Sequence, residues 1–166
     1  MGGGNVEKAV KQWNELVLKT LREKSGGLDY VQISNENLGG LSIALFCKRA
    51  LGSQITDIAT SKVKVGGLST KFGSKGATLI RFLYQDTSFC FINCHLDSGA
   101  SILDCKKRVQ QITEIFSNAF IKDRGTSNIN YSVFNHQVKV VFGDLNYRID
   151  LDNDTVRKLI ASKDYE

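Results

Sequence analysis

The Val- and Phe-rich run Val138–Phe142, closed by Gly143-Asp144, constrains this chain more than any other stretch. A run this short that ends in Gly-Asp reads as a buried strand breaking into a loop at its carboxyl end. A carboxylate, an amide, a phenol and a guanidinium then follow within Asp144–Arg148. Strand ends of this kind are where α/β proteins present reacting groups, because the sheet fixes the backbone while the loop specialises. The plainer reading is an Asx turn, in which Asp144 or Asn146 bonds its own backbone. The full Gly-Asp-x-Asn-x-Arg pattern weighs toward a site.

At 166 residues, 42% hydrophobic and 23% charged, the chain suits one soluble domain with a core. No apolar run approaches a membrane span, and the Gly-rich start reads as a leader. Cys47, Cys90, Cys94 and Cys105 show no zinc spacing. Cys90 and Cys94 share one strand face, which is poor disulfide geometry, so reduced thiols and a cytoplasmic setting are expected. With only His95 and His136, a His-rich metal site is excluded. The +5 charge is uneven: no acid falls between Asp57 and Asp86, while Lys62, Lys64, Lys71, Lys75 and Arg81 do. Such a stretch suits an anionic partner or is simply a solvated face.

In order along the chain, Val6–Lys24 carries Val6, Val10, Trp13, Leu16, Val17 and Leu21 at helical spacing, with Trp13 as core anchor. Leu28–Leu38 reads as a strand with a polar turn at Asn35-Glu36-Asn37, and Leu41–Cys47 and Ile55–Val65 as further strands. Gly66–Gly76 is glycine-rich, with Leu68, Lys71, Phe72 and Lys75. Its glycines permit close approach to a ligand, and its lysines suit phosphate. Leu68 and Phe72 either enter a membrane interface or pack down. Ala77–Tyr84 and Ser88–His95 form a hairpin whose second strand, buried on both faces, ends at His95. Ile102–Phe120 is a helix with Val109, Ile112, Ile115, Phe116 and Ala119 inward, and Lys106-Lys107-Arg108 as a solvated face. Ile121–Gln137 reads as a surface loop in which His136 has no role, and Asp152–Ser162 as a helix with an acidic start. A mixed sheet with helices packed outside it follows.

Gly73-Ser74-Lys75-Gly76-Ala77, Ile92-Asn93-Cys94-His95-Leu96 and Gly143–Ile149 resemble, in order and spacing, the inositol polyphosphate 5-phosphatases. The stretches Tyr30–Gly40 and Asp150–Asn153 are similar to the synaptojanin branch. These enzymes belong to the endonuclease/exonuclease/phosphatase superfamily, and the likeness spans Trp13 to Tyr165. Gly-Asp-x-Asn is common to that superfamily, DNA-cleaving members included; Tyr147-Arg148 is what points to inositol phosphates. The resemblance implies the DNase I-like fold, a four-layer α/β sandwich of two facing mixed sheets. It also implies magnesium-dependent hydrolysis of the 5-phosphate of phosphoinositides or soluble inositol phosphates.

Carried over residue by residue, Asp144 deprotonates the attacking water, Asn146 holds the scissile phosphate and His95 stabilises its developing charge. Arg148 with Tyr147 reads one substrate phosphate, and Lys75 another. Leu68, Lys71 and Phe72 would contact an anionic membrane surface, which implies a cytoplasmic protein peripheral to membranes. The expected ligand is a phosphoinositide headgroup rather than nucleic acid. Ser74 stands where the family has Asn. The family's Asn-bearing first strand, its magnesium-holding Glu, its Trp-Cys-Asp-Arg stretch and its final Asp-His pair are absent from the chain. Residues 1–166 therefore read as the central part of a catalytic domain, missing both ends and, with them, the metal ligands and turnover. Glu36 sits in the wrong motif to be a metal ligand. A superfamily nuclease and a non-catalytic phosphoinositide-binding module are the alternatives.

Overall fold

In the computed structural model, which describes residues 3–66, 75–121 and 131–164, helix α1 (Gly3–Lys24) leads into an antiparallel hairpin. Its strands are β1 (Tyr30–Leu38) and β2 (Leu41–Lys48). β1 runs straight through Asn35-Glu36-Asn37, so the expected turn there is wrong. The reversal falls at Gly39-Gly40, where Gly39 adopts φ +55°.

A second sheet holds β3 (Ile55–Lys64), β4 (Gly76–Tyr84), β5 (Thr87–His95) and β6 (Val138–Asp144), in that spatial order. β3, β4 and β5 are antiparallel, and β6 runs parallel to β5. A parallel pair needs a long crossover, and helix α2 (Ile102–Asn118) lies within it. Ser101 and Asp104 start α2 with a reciprocal capping box. Helix α3 (Asn153–Ser162) follows the β6 loop, with Asp152 as its N-cap.

Alternation along β4 and β5 separates two cores. Ala77, Leu79, Cys90, Ile92 and Cys94 face α2 together with Ile115, Ala119 and Phe120. Ile80, Phe82, Phe89 and Phe91 face Ile43 and Leu45 of the hairpin, where the rings of Phe82 and Phe89 stack at 5.1 Å. With α1 against β1 and β2, the order is helix, hairpin, sheet, helix. These are the four layers that the resemblance implies.

Several sequence expectations are corrected. Trp13 and Leu16 are 63% and 54% exposed. The face of α1 that packs is Val10, Asn14, Val17, Leu18 and Leu21, rotated away from Trp13. On α2 the buried stripe runs through Arg108, Gln111 and Ile115. Val109 is therefore exposed, and Arg108 is no solvated residue. β6 lies at the sheet edge, with β5 as its one partner among the described strands, so Val140, Val141 and Phe142 are partly exposed. An apolar run encodes the capacity for burial on both faces, not a second neighbour.

The expected surface loop is instead partly interior. Tyr131, Val133 and His136 are buried, and residues 122–130 lie outside the described residues. His136 has a partner: Arg81 Nε donates to its Nε2 at 3.0 Å. Arg81 also donates to the Asp57 carboxylate at 2.8 Å and lies over the Tyr131 ring at 3.9 Å. The Tyr131 hydroxyl donates to the other Asp57 oxygen at 2.7 Å. A buried guanidinium requires this degree of pairing.

Candidate active site

β4 begins, and β5 and β6 end, at the same margin of the sheet. Gly76 is in register with His95, and His95 with Asp144. Glycine permits close backbone approach at two of these strand ends, Gly143 against β5 and Gly76 against β3. Gly143 has φ +111°, and a Cβ there would lie 2.2 Å from the Cys94 carbonyl oxygen. At Gly76, φ +145°, it would lie 2.1 Å from the Val63 oxygen. Distances under 3 Å to main-chain atoms leave room for no side chain, so the residues flanking Lys75 and Asp144 are fixed by backbone packing.

Four predicted residues meet at this margin. Lys75 Nζ lies 2.6 Å from His95 Nε2 and donates to the Leu96 carbonyl at 2.9 Å. Asn146 Nδ2 donates to the same carbonyl at 2.9 Å. His95 Nε2 stands 3.6 Å from Asp144 Oδ2. An ammonium has no lone pair, so facing Lys75 the His95 Nε2 is an acceptor and its proton sits on Nδ1. The Asn146 N–H donates to Asp144 Oδ1 at 3.1 Å. The Asx turn of the plainer reading thus forms, and it aims Asp144 into the cluster. Asn146, at φ +55°, adopts the left-handed conformation that Asn tolerates well. The site is open, with the side chains of His95 and Asp144 34% and 63% exposed.

Arg148 Nη2 reaches Asn146 Oδ1 at 3.5 Å, so the loop carries a cation to the rim of the cluster. Beyond it, between the start of α2 and Tyr147–Asp152, lies a cavity of about 500 Å³. Tyr147 is 55% exposed there. Asp97, two residues after His95, is half-buried. Burial pushes its carboxyl up, but hydrogen bonding with Lys107 and Gln111 outweighs this and holds it below the ordinary range. The basic stretch seen in sequence is not one patch: Lys62 pairs with Glu36 and Arg81 with Asp57. Leu68, Lys71 and Phe72 lie outside the described residues.

The described residues do not make a magnesium site. Among the described residues no three His, Cys, Asp or Glu side chains are grouped to hold a metal. Among the described residues Asp144 is the one carboxylate in contact with the cluster, and one of its oxygens already accepts the Asn146 N–H. Magnesium demands near-octahedral oxygen coordination. Glu36 is no substitute. Its oxygens accept from Asn37 N–H, Thr60 and Lys62. Burial alone would raise its carboxyl, yet these bonds hold it below the usual value.

Sequence reasoning missed Arg108 and the Arg81 network. A signal existed for each. Extending the Ile115 stripe back by seven residues lands on Arg108. An arginine inside Ala77–Tyr84, where both neighbours face cores, must find a buried partner.

The whole described chain matches one family model, Endonuclease/Exonuclease/phosphatase family 2, over residues 3–166. The chain belongs to that family. Within it, the chain is 34% identical over 166 residues to the phosphatidylinositol 3,4,5-trisphosphate 5-phosphatase 2 of Canis lupus familiaris, covering 98% of this chain and 13% of that protein. It is 37% identical over 152 residues to the inositol-1,4,5-trisphosphate 5-phosphatase 1 of Schizosaccharomyces pombe, covering 91% and 13%. Among solved structures it is similar to the 5-phosphatase domain of a synaptojanin in complex with inositol (1,4)-bisphosphate and calcium. That likeness has a TM-score of 0.74 and 34% identity over 92% of this chain and 42% of that one. This family 2 chain therefore spans less than half of the solved domain it matches, and about an eighth of its curated relatives. The expected DNase I-like α/β class holds. No described helix is long and apolar enough to cross a membrane.

Proposed function

We propose that this family 2 chain is the phosphate-handling central part of an inositol polyphosphate 5-phosphatase domain. The parent domain would remove the 5-phosphate of a phosphoinositide or soluble inositol polyphosphate with magnesium, as a cytoplasmic protein peripheral to anionic membranes. One observation carries the reading: Lys75, His95, Asp144 and Asn146, up to 71 positions apart in sequence, converge on the Leu96 carbonyl and one another at the same sheet margin.

Hydrolysis of a phosphate monoester needs a base to orient water and cations to hold the charged group in line. Asp144, held by the Asn146 N–H, is the base. His95 reaches the cluster through Nε2 and stabilises charge growing on the phosphoryl oxygens once substrate draws Lys75 away and Nε2 carries the proton. Lys75 spends two of its three donors on His95 and Leu96 and offers the third to a ring phosphate. Asn146 positions the scissile group, and Arg148, with Tyr147, supplies a planar cation for bidentate phosphate contact. The fragment reading is supported by the 42% coverage of the solved domain and by the isolated carboxylate. Metal-holding residues then come from flanking segments, and this piece alone has negligible turnover.

The test is phosphate release from a short-chain phosphatidylinositol bisphosphate with magnesium, comparing residues 1–166 with the chain extended by its own flanking sequence. Release is expected from the extended protein alone. Robust release by the short chain would overturn the fragment reading; none from the extended protein would overturn the activity.

A further inference from the structure

Helix α2 gives no side chain to the cluster of Lys75, His95, Asp144 and Asn146, yet three of its residues close on Asp97, two positions after His95. Gln111, 3% exposed, accepts from the Asp97 N–H through Oε1 at 3.0 Å. An N–H needs an acceptor, so the amide oxygen is the end of Gln111 that faces it. Arg108 Nη1 donates to the carbonyls of Asp97 and Gly99 at 3.2 and 2.8 Å, and Lys107 pairs with the Asp97 carboxylate. Positions 107, 108 and 111 are neighbours on one helix surface. Side chains from that surface thus hold the N–H, the carbonyl and the carboxylate of a single residue.

We infer that Gln111 is a positioning residue of the active site: by holding the Asp97 N–H it aims the Leu96 carbonyl at Lys75 and Asn146. Its effect on catalysis rests on the 5-phosphatase reading. The Leu96 C=O and the Asp97 N–H belong to one peptide unit, which is planar and trans. They point in opposite directions, so a partner fixed on one side sets the direction of the other. The Leu96 oxygen has two lone pairs. Lys75 Nζ and Asn146 Nδ2 use them, each at 2.9 Å, so turning this peptide would move both donors at once. The preceding peptide is held separately, since the Leu96 N–H donates to the Asp144 carbonyl at 3.0 Å and the Leu96 side chain is fully buried. Arg108 grips the next carbonyl along, which lies in a different peptide plane. Among the described residues, Gln111 is therefore the one that acts on the N–H side of the plane carrying the Leu96 oxygen. A hydrogen bond at that N–H also polarises the carbonyl of the same amide and strengthens its hold on an ammonium.

Solvent exchange of the Asn146 side-chain amide, followed by NMR in residues 1–166, tests this. In Gln111→Met, which keeps the bulk and loses the acceptor, exchange there should quicken about fivefold, the ratio that one hydrogen bond of ordinary net strength supports. The Leu96 N–H, held by β6, should exchange as before. Gln111→Glu keeps an acceptor at the same reach, with Lys107 and Arg108 one turn back to balance its charge, and should restore the original rate. An unchanged rate at Asn146 in Gln111→Met refutes the inference. Equal quickening at the Leu96 N–H also refutes it, because Gln111 would then serve fold stability alone, and so does a Gln111→Glu rate as fast as that of Gln111→Met. If Gln111→Met does not fold, the coupling is read from its other end: Lys75→Met removes one bond to the carbonyl, and the Asp97 N–H should exchange about threefold faster, with no change counting as refutation. In the extended protein, kcat/KM for a short-chain phosphatidylinositol bisphosphate should fall about tenfold in Gln111→Met and recover in Gln111→Glu. Undiminished release by Gln111→Met would overturn the positioning role. No release from the unaltered extended protein, with exchange responding as expected, would sink the 5-phosphatase reading and uphold the hold of Gln111 on the Leu96 carbonyl.

Discussion

Replacing Gly143 by Ala tests whether the close approach of β5 and β6 is what places Asp144. The new Cβ would stand 2.2 Å from the Cys94 oxygen and 2.6 Å from Asn93 Oδ1. Ordinary contact begins near 3.4 Å, so the strand ends must part by roughly 1 Å, and the obstructing oxygen belongs to the main chain of the neighbouring strand. The φ of +111° adds strain that alanine cannot relieve in place. Strain of this kind is worth about 1–3 kcal/mol, and overpacking about 1–3 kcal/mol. A loss of about 4 kcal/mol is expected, or roughly 10 °C in Tm for a domain of this size. Gly40→Ala, with nothing within 4 Å of its Cβ and no positive φ, is the matched control and should stay within about 0.5 kcal/mol. Thermal unfolding by circular dichroism gives both values, and amide exchange at Leu96, whose N–H donates to the Asp144 carbonyl at 3.0 Å, reports the local opening. A Gly143→Ala protein with unchanged Tm and full protection at Leu96 would refute the argument.

Acid should weaken the fold through His136. Burial, aided by the charges of Arg81 and Lys139, holds its pKa below 6.5 despite the opposing bonds to Val133 and Ser132. The unfolded chain therefore binds a proton first as pH falls through about 6.5, and stability declines from there down to the folded pKa. Tm between pH 7 and 5 should fall less steeply in His136→Gln; an identical slope would exclude His136 as the source. Trp13, the sole tryptophan and 63% exposed, should emit at long wavelength and be quenched freely by iodide, and Trp13→Ser should cost less than about 1 kcal/mol. A shielded, blue-shifted emission would contradict its placement. Ser101→Ala removes the Oγ half of the α2 capping box, leaving the main-chain N–H at 101 to donate to Asp104, and should cost about 1 kcal/mol in urea unfolding, whereas no change in the midpoint would mean that the hydroxyl cap is immaterial. In the extended protein, Asp144→Asn should abolish phosphate release while leaving Tm within about 2 °C, a shift that corresponds to less than about 1 kcal/mol; retained release would remove Asp144 as the base.

The cluster was legible because each of its members is announced by a local break in pattern. His95 ends an apolar strand, Asp144 follows a run closed by glycine, and Lys75 precedes the glycine that opens β4. What a linear reading lacked was phase. On α1 and α2 the apolar residues fit two neighbouring stripes, and only packing chose Asn14 over Trp13 and Arg108 over Val109. His136 looked idle because its partner, Arg81, lies 55 positions away.

The sequence by itself therefore determined the elements, a mixed sheet with helices outside it, and the chemical types at the strand ends, since these follow from neighbours along the chain; the four-layer order was implied by the family resemblance. Which side chains meet was decided only by the tertiary structure. The parallel pairing of β5 with β6, made possible by Gly143, where a Cβ would stand against the Cys94 oxygen, is what brings His95 opposite Asp144. That pairing depends on contacts between backbones some 50 residues apart, which no local pattern encodes.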